Sequence, residues 1–147
     1  MAGDNRATTN HNIEILQSAG FKKQGITSIF KKSGCKLLSP AVSSGKGGHY
    51  WFDIRKVNVD QIKVEGSHIL IRIIPDMFIL IKLSDFLPLL SKATRRYRKN
   101  SGEVWGFYIT LNIIKNMAKI VSKDDSTSTY STPIIKKNRI LQILQSL

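Results

Sequence analysis

Acidic residues are scarce in this chain. Ten Asp/Glu stand against 23 Lys/Arg in 147 residues, leaving a formal net charge of +13. Such an excess opposes compaction by self-repulsion until a polyanion neutralises it, so DNA, RNA and anionic membrane surfaces are the partner classes to weigh. Scarcity of acid also argues against metal-dependent hydrolysis, which needs one or two converging carboxylates. Apart from Asp124-Asp125 the acids stand singly. Cysteine is represented by Cys35 alone, which excludes an internal disulfide. No apolar run approaches the roughly 20 residues of a membrane helix. The longest, "ILIRIIPDMFILIKL", is broken by Arg72, Pro75, Asp76 and Lys82 and reads as two strands. The opening "MAGDNRATTNHN" lacks an apolar signal segment, and Ala2 stands where myristoylation requires Gly. These absences lead to the expectation of a cytoplasmic protein that engages no membrane and binds nucleic acid.

What is present supports a folded domain: 41% of residues are apolar, enough for one ordinary core. Helical spacing and a Gly20 stop predict a helix in "NHNIEILQSAGF", capped by Asn10 or Asn12. A second short helix is expected over 25–34, where Ile26, Ile29 and Phe30 share a side. A helix-turn-helix reader would need polar base-reading side chains there, and only Thr27, Ser28, Lys31 and Lys32 qualify. Strands are expected at 35–42, 49–59, 67–74, 77–83 and 103–114; the short link at Pro75-Asp76 makes the third and fourth antiparallel or bent neighbours. In 49–59, Tyr50, Phe52 and Ile54 alternate with Trp51, Asp53 and Arg55, the period of a strand with one buried face. A helix is expected over 84–99 and another over 132–147, with Thr132 as cap and Pro133 at its first position. The order is not a regular β-α-β alternation. The expectation is an α+β domain, a mostly antiparallel sheet or pseudobarrel with flanking helices. Residues 1–121 would form the binding domain, 122–132 a polar linker or loop, and 133–147 a C-terminal amphipathic helix.

The densest positive charge lies in "SKATRRYRKN". Lys92, Arg95, Arg96, Arg98 and Lys99 crowd together with no acid between Asp85 and Glu103. Such clusters release counterions on binding phosphates, and Tyr97 could stack on a sugar or an exposed base. On 49–59, an outward Trp51 and Arg55 beside Lys56 and Asn58 suit base edges, since Arg pairs with guanine and Asn with adenine. The Gly-rich "SSGKGGH" fails the phosphate-loop pattern, because Pro40 and Gly47 stand where Gly and Ser/Thr are needed. Its Lys46 and its backbone suit close approach to a duplex. A nuclease site built on Asp76 or Asp53 lacks its acid-x-Lys partner. Asp76 reads as a turn residue, and Asp53 as a partner of Arg55 or a nearby Lys. Cys35 reads as a buried inert thiol, and His11, His49 and His68 lack metal-ligand spacing.

The stretches "GGHYWFDIRKVNVDQI", "HILIRIIPDMFILIKL" and "NSGEVWGFYI" resemble the DNA-recognition domains of prokaryotic restriction systems, in particular the pseudobarrel shared with the plant B-three domain. The resemblance spans about residues 35–115. It implies two arms that enter the major groove, matched here by the Ser43–His49 loop with the following strand and by the Arg95–Ser101 segment. It also implies a module without catalysis of its own, often joined to a nuclease or to a GTP- or ATP-driven subunit. The expected function is therefore site-specific double-stranded DNA binding without a cofactor. Lys46, Arg95, Arg96, Arg98 and Lys99 would meet phosphates, and Arg55, Asn58 and the loop tips with His49 and Asn100 would meet bases. Two alternatives stand beside it: a reader of modified or flipped bases or single-stranded RNA that stacks on Trp51, Trp105 or Tyr97, and a small magnesium-dependent nuclease.

Overall fold

Strand pairs with adjacent apolar residues organise the molecule. The computed structural model describes residues 13–25, 28–44, 49–73 and 76–147. Twelve strands run through them: β1 (Lys22–Lys23), β2 (Ile29–Lys32), β3 (Cys35–Leu38), β4 (Val42–Ser44), β5 (Tyr50–Arg55), β6 (Ser67–Ile73), β7 (Met77–Lys82), β8 (Arg96–Arg98), β9 (Gly102–Asn112), β10 (Met117–Ser122), β11 (Thr129–Pro133) and β12 (Ile135–Lys136). Helical segments are residues 13–18 (α1), Lys56–Val59 (α2), Leu83–Phe86 (α3) and Lys137–Ser146 (α4). The first sheet runs β1-β2-β3-β6-β7-β12 and the second β11-β10-β9-β5-β4, with β8 also paired to β9. Every pairing is antiparallel except β3 with β6. The α+β expectation holds, as two face-to-face sheets with α1 and α4 on the far side of the first sheet and α3 at the core between the sheets.

The first sheet is buried on both faces. Ile69, Ile71 and Ile79 point into the core between the sheets, while Leu37, Leu70 and Phe78 point the other way, under Leu16 of α1 and Ile140 and Leu144 of α4. Lys32 binds this helical layer at its end: its Nζ donates to the carbonyls of Leu144 (3.3 Å) and Gln145 (2.9 Å), satisfying the last turn of α4. The inter-sheet core centres on Phe107, with Phe52 stacked at 5.2 Å and Phe86 edge-on at 5.1 Å. Each such aromatic pair contributes about 0.5–1.5 kcal/mol beyond its area. The outer face of the second sheet carries no helix layer among the described residues. None of the described helices is long and apolar enough to cross a membrane.

Several expected elements are replaced. Of the second helix, expected over 25–34, Ile29–Lys32 is instead β2, followed by a Ser33-Gly34 turn with Ser33 at φ 51°; residues 26 and 27 lie outside the described residues. Ile29 and Phe30 face opposite cores, so a doubly buried strand presents the adjacent apolar pair that also suits a helix. The helix over 84–99 breaks into α3, single 3-10 turns at Leu87–Leu89 and Lys92–Thr94, and strand β8. A continuous helix would bring Lys92, Arg95, Arg96 and Lys99 together at spacings of three and four, where like charges repel. The strand from 49 ends at Arg55, and Lys56 and Asn58 lie on α2. Residues 129–133 of the stretch expected as a linker and helix start form β11, paired with β10. Helix α4 starts only at Lys137, with Pro133 inside β11. The helix ending at Gly20 stands, that glycine at φ +94°; its expected caps and Lys46 lie outside the described residues.

Candidate nucleic-acid interface

Alternation along β5 turns Phe52 and Ile54 inward and Trp51, Asp53 and Arg55 onto the outer face of the second sheet. Gly106 lies opposite Asp53 on β9. Its missing side chain leaves room for Lys123, whose Cδ would sit 2.8 Å from a Cβ placed there. Lys123 Nζ therefore rests 5.7 Å from the Trp51 ring centroid and 5.2 Å from that of Tyr108.

The β8–β9 hairpin brings the arginine cluster to the same face. Its turn ends at Gly102, φ +71°, which suits glycine. Arg98 Nη1 donates to Asp53 Oδ2 at 2.5 Å, Arg95 Nε pairs with Glu103 at 3.1 Å, and Arg96 pairs with Asp124. Arg95 also lies over Trp105, 5.8 Å from its ring. These pairs correct the expectation of an unopposed cluster. Three of the five cations meet carboxylates of the chain itself, which counts against them as the primary phosphate contacts. Lys92 and Lys99 remain without an ion pair among the described residues. Tyr97 is 76% exposed, and Lys99, Asn100 and His49 are exposed.

Other expectations shift as well. Asp53 pairs with Arg98 rather than with Arg55 or a lysine. Arg55 Nε donates instead to the Ser101 carbonyl at 3.2 Å, and Lys56 pairs with Asp60 at 2.6 Å. Asn58, expected to reach a base from a strand, is only 5% exposed. Trp105 is buried and its indole N–H donates to the Ser91 carbonyl at 2.7 Å, so it offers no stacking wall. Asp76 is a turn residue. Cys35 is half-buried rather than buried, and partial burial pushes its thiol pKa up, against the opposing pull of Lys32. Among the described residues no group of three or more His, Cys, Asp or Glu converges.

A second basic area was hidden from sequence reading. Lys22, Lys31 and Lys36 stand on β1, β2 and β3 as direct cross-strand partners in one row. Lys63 joins Lys31 and Lys36 around a shallow groove of about 310 Å³ that Glu65 also lines. The signal that could have found the row is the Ser33-Gly34 turn, since a two-residue loop pairs Lys31 with Lys36. The row connects to the arginine face. Lys36 Nζ donates to the Gln61 carbonyl, Gln61 Nε2 donates to the Val57 carbonyl on α2, and Arg55, just before α2, reaches the hairpin.

Where β4 and β5 meet this hairpin, a cavity of about 440 Å³ opens, lined among others by Trp51, Asp53, Arg55, Asn58 and Arg98. The structure thus gathers four of the expected contact residues, Trp51, Arg55, Asn58 and Arg98, around one cavity. Comparison with protein-family models, with curated proteins and with solved structures gives no match for this chain.

Proposed function

We propose that this chain is a non-catalytic module that binds double-stranded DNA at a particular sequence. In the reading that its resemblance to B-three pseudobarrels supports, it is the target-recognition part of a restriction defence system, working with a nuclease or a GTP- or ATP-driven partner. The observation that carries the proposal is the row Lys22–Lys31–Lys36. Like charges directly opposite on paired strands destabilise a sheet, by something on the order of 0.2–1 kcal/mol per contact. Folding gains nothing from such a row, whereas a phosphate backbone converts it into favourable counterion release. Lys63, Lys92 and Lys99, without an ion pair among the described residues, extend the positive charge, and Arg96 and Arg98 contribute by exchanging their carboxylates for phosphates.

The test is duplex binding by electrophoretic shift across salt concentration, using sequences selected from a random duplex pool with and without methylated cytosine. Three or more lysine–phosphate contacts give a log–log salt slope of about −3 or steeper. A binding constant that stays flat between about 50 and 200 mM salt refutes the proposal.

A further inference from the structure

Resting on that reading of duplex recognition, we infer that the turn between β9 and β10 is a wedge: it inserts Ile113 and Ile114 at a base step and kinks a duplex that lies along the outer face of the second sheet. Both isoleucines, expected inside the strand 103–114, lie past its end, because β9 stops at Asn112. Ile114 is 99% exposed and Ile113 63%. They hold the first two positions of a turn closed by the Asn116 N–H, which donates to the Ile113 carbonyl at 3.2 Å. Asp, Asn, Ser and Pro are the residues favoured at those positions. The turn is firmly built. Asn112 Oδ1 accepts from the Lys115 N–H at 3.1 Å, and Asn116 Nδ2 donates to the carbonyl of buried Ile134 at 2.9 Å. The Ile134 N–H returns a bond to the Asn116 carbonyl, also at 2.9 Å. Single apolar residues on a surface are ordinary. An adjacent branched pair held out in water by such a turn contributes nothing to the fold.

The charge around the tip selects the partner. No acid falls between Glu103 and Asp124. Lys115 stands in the turn itself. Lys119 lies between exposed Thr110 and Ser131 on the neighbouring strands, and Lys123 rests over Trp51 and Tyr108. Ala118 and Ile120 point into the core, so alternation puts Lys119 on the outer face. None of the three lysines has an ion pair among the described residues. They form a line from the tip towards the β8–β9 hairpin. A flat bilayer would meet the tip alone, whereas a rod of phosphates meets the whole line. Strand β9 runs from Gly102 at the hairpin to Asn112 at the tip, a span of roughly 33 Å, close to the ~34 Å of one duplex turn. Proteins that kink DNA insert Ile, Leu, Phe, Met or Pro between base steps and flank them with Lys, Arg, Asn or Gln. Residues 112–116 supply two isoleucines, a lysine and two asparagines.

The experiment uses the full chain with a duplex selected from the random pool, labelled at its ends for fluorescence transfer and, separately, with 2-aminopurine at successive positions. Expected are a bend of about 20–90° and a rise in 2-aminopurine emission at one base step. The double variant Ile113→Ser, Ile114→Ser should lose both while keeping its melting temperature and salt slope. Ile114→Phe, which keeps an apolar wedge, should retain the bend. Lys119→Ala should make the salt slope shallower by about 0.9 and leave the emission rise in place. A duplex bound straight, or bent equally by the double variant, overturns the wedge and leaves duplex recognition standing. An unchanged salt slope in Lys119→Ala overturns the placement of the duplex along this face. An unbent duplex together with binding to vesicles of equal parts phosphatidylcholine and phosphatidylserine, lost in the double variant, overturns the inference in favour of a lipid surface. Absence of any duplex binding refutes the duplex reading, and the wedge with it.

Discussion

Arg98 and Asp53, 45 positions apart in the chain, meet at 2.5 Å on the outer face of the second sheet. The contact ties the β8–β9 hairpin to β5. Both side chains keep partial solvent access, 49% and 28%, so the pair belongs to the weak class of ion pairs. A double-mutant cycle with Arg98→Ala and Asp53→Ala, read by urea denaturation, should give a coupling of about 0.5–1 kcal/mol that shrinks with added salt. A coupling near zero at low salt would mean that the hairpin is held without it.

Lys31 stands between Lys22 and Lys36. Lys31→Glu converts two repulsive cross-strand contacts into attractive ones. Stability should rise by about 0.4–2 kcal/mol, while duplex affinity falls at least tenfold and the salt slope becomes shallower by about 0.9 or more. The opposite signs are the point of the measurement. Loss of both stability and binding would show that the row is part of the fold's own support.

Gly106→Ala would put a methyl group 2.8 Å from Lys123 Cδ and 3.1 Å from Asp53 Oδ1. The flexible lysine gives way first. Its cation–π contact with Trp51 is worth about 0.5–1 kcal/mol, and the alanine regains a similar amount, about 0.5–1 kcal/mol, of strand backbone entropy. Net stability should therefore change by less than about 1 kcal/mol. Acrylamide quenching of Trp51 should increase, measured against Trp51→Phe to subtract Trp105.

His68 titrates below the ordinary histidine range, first because burial disfavours its charged form and second because Lys82, its cross-strand partner, repels it. The folded pKa lies under the unfolded value, so the unfolded chain takes up a proton first as pH falls. Stability should be intact above about pH 6.5 and decline as pH drops from there towards the lowered folded pKa. His68→Gln should flatten that portion of a stability-against-pH curve while leaving the carboxylate-dependent loss at lower pH.

The elements legible in the sequence are those whose burial pattern is local. The period of two in "YWFDIR" identifies β5 and its outward Trp51, Asp53 and Arg55. The two β-branched runs around Pro75-Asp76 identify the β6–β7 pair, and Ile140 and Leu144 mark the apolar face of α4. The misread stretches are those whose neighbours decide their state. "SIFKKSG" looks helical until one sheet buries Ile29 on one face and Phe30 on the other. "STSTYSTP" looks like a linker until β10 offers it an edge. "RRYRKN" reads as a basic helix, but as a strand beside β9 it finds Glu103, Asp124 and Asp53.

Composition alone determined the size of the cationic excess and the shortage of acids, because both are sums over the chain. Alternation alone determined which side of β5 faces outward, because pleating fixes that within a few residues. Register between strands remote in sequence decided which charges oppose one another. It gave three arginines their own carboxylates and set three lysines in a row without an ion pair among the described residues, since only pairing determines which side chains share a line across a sheet.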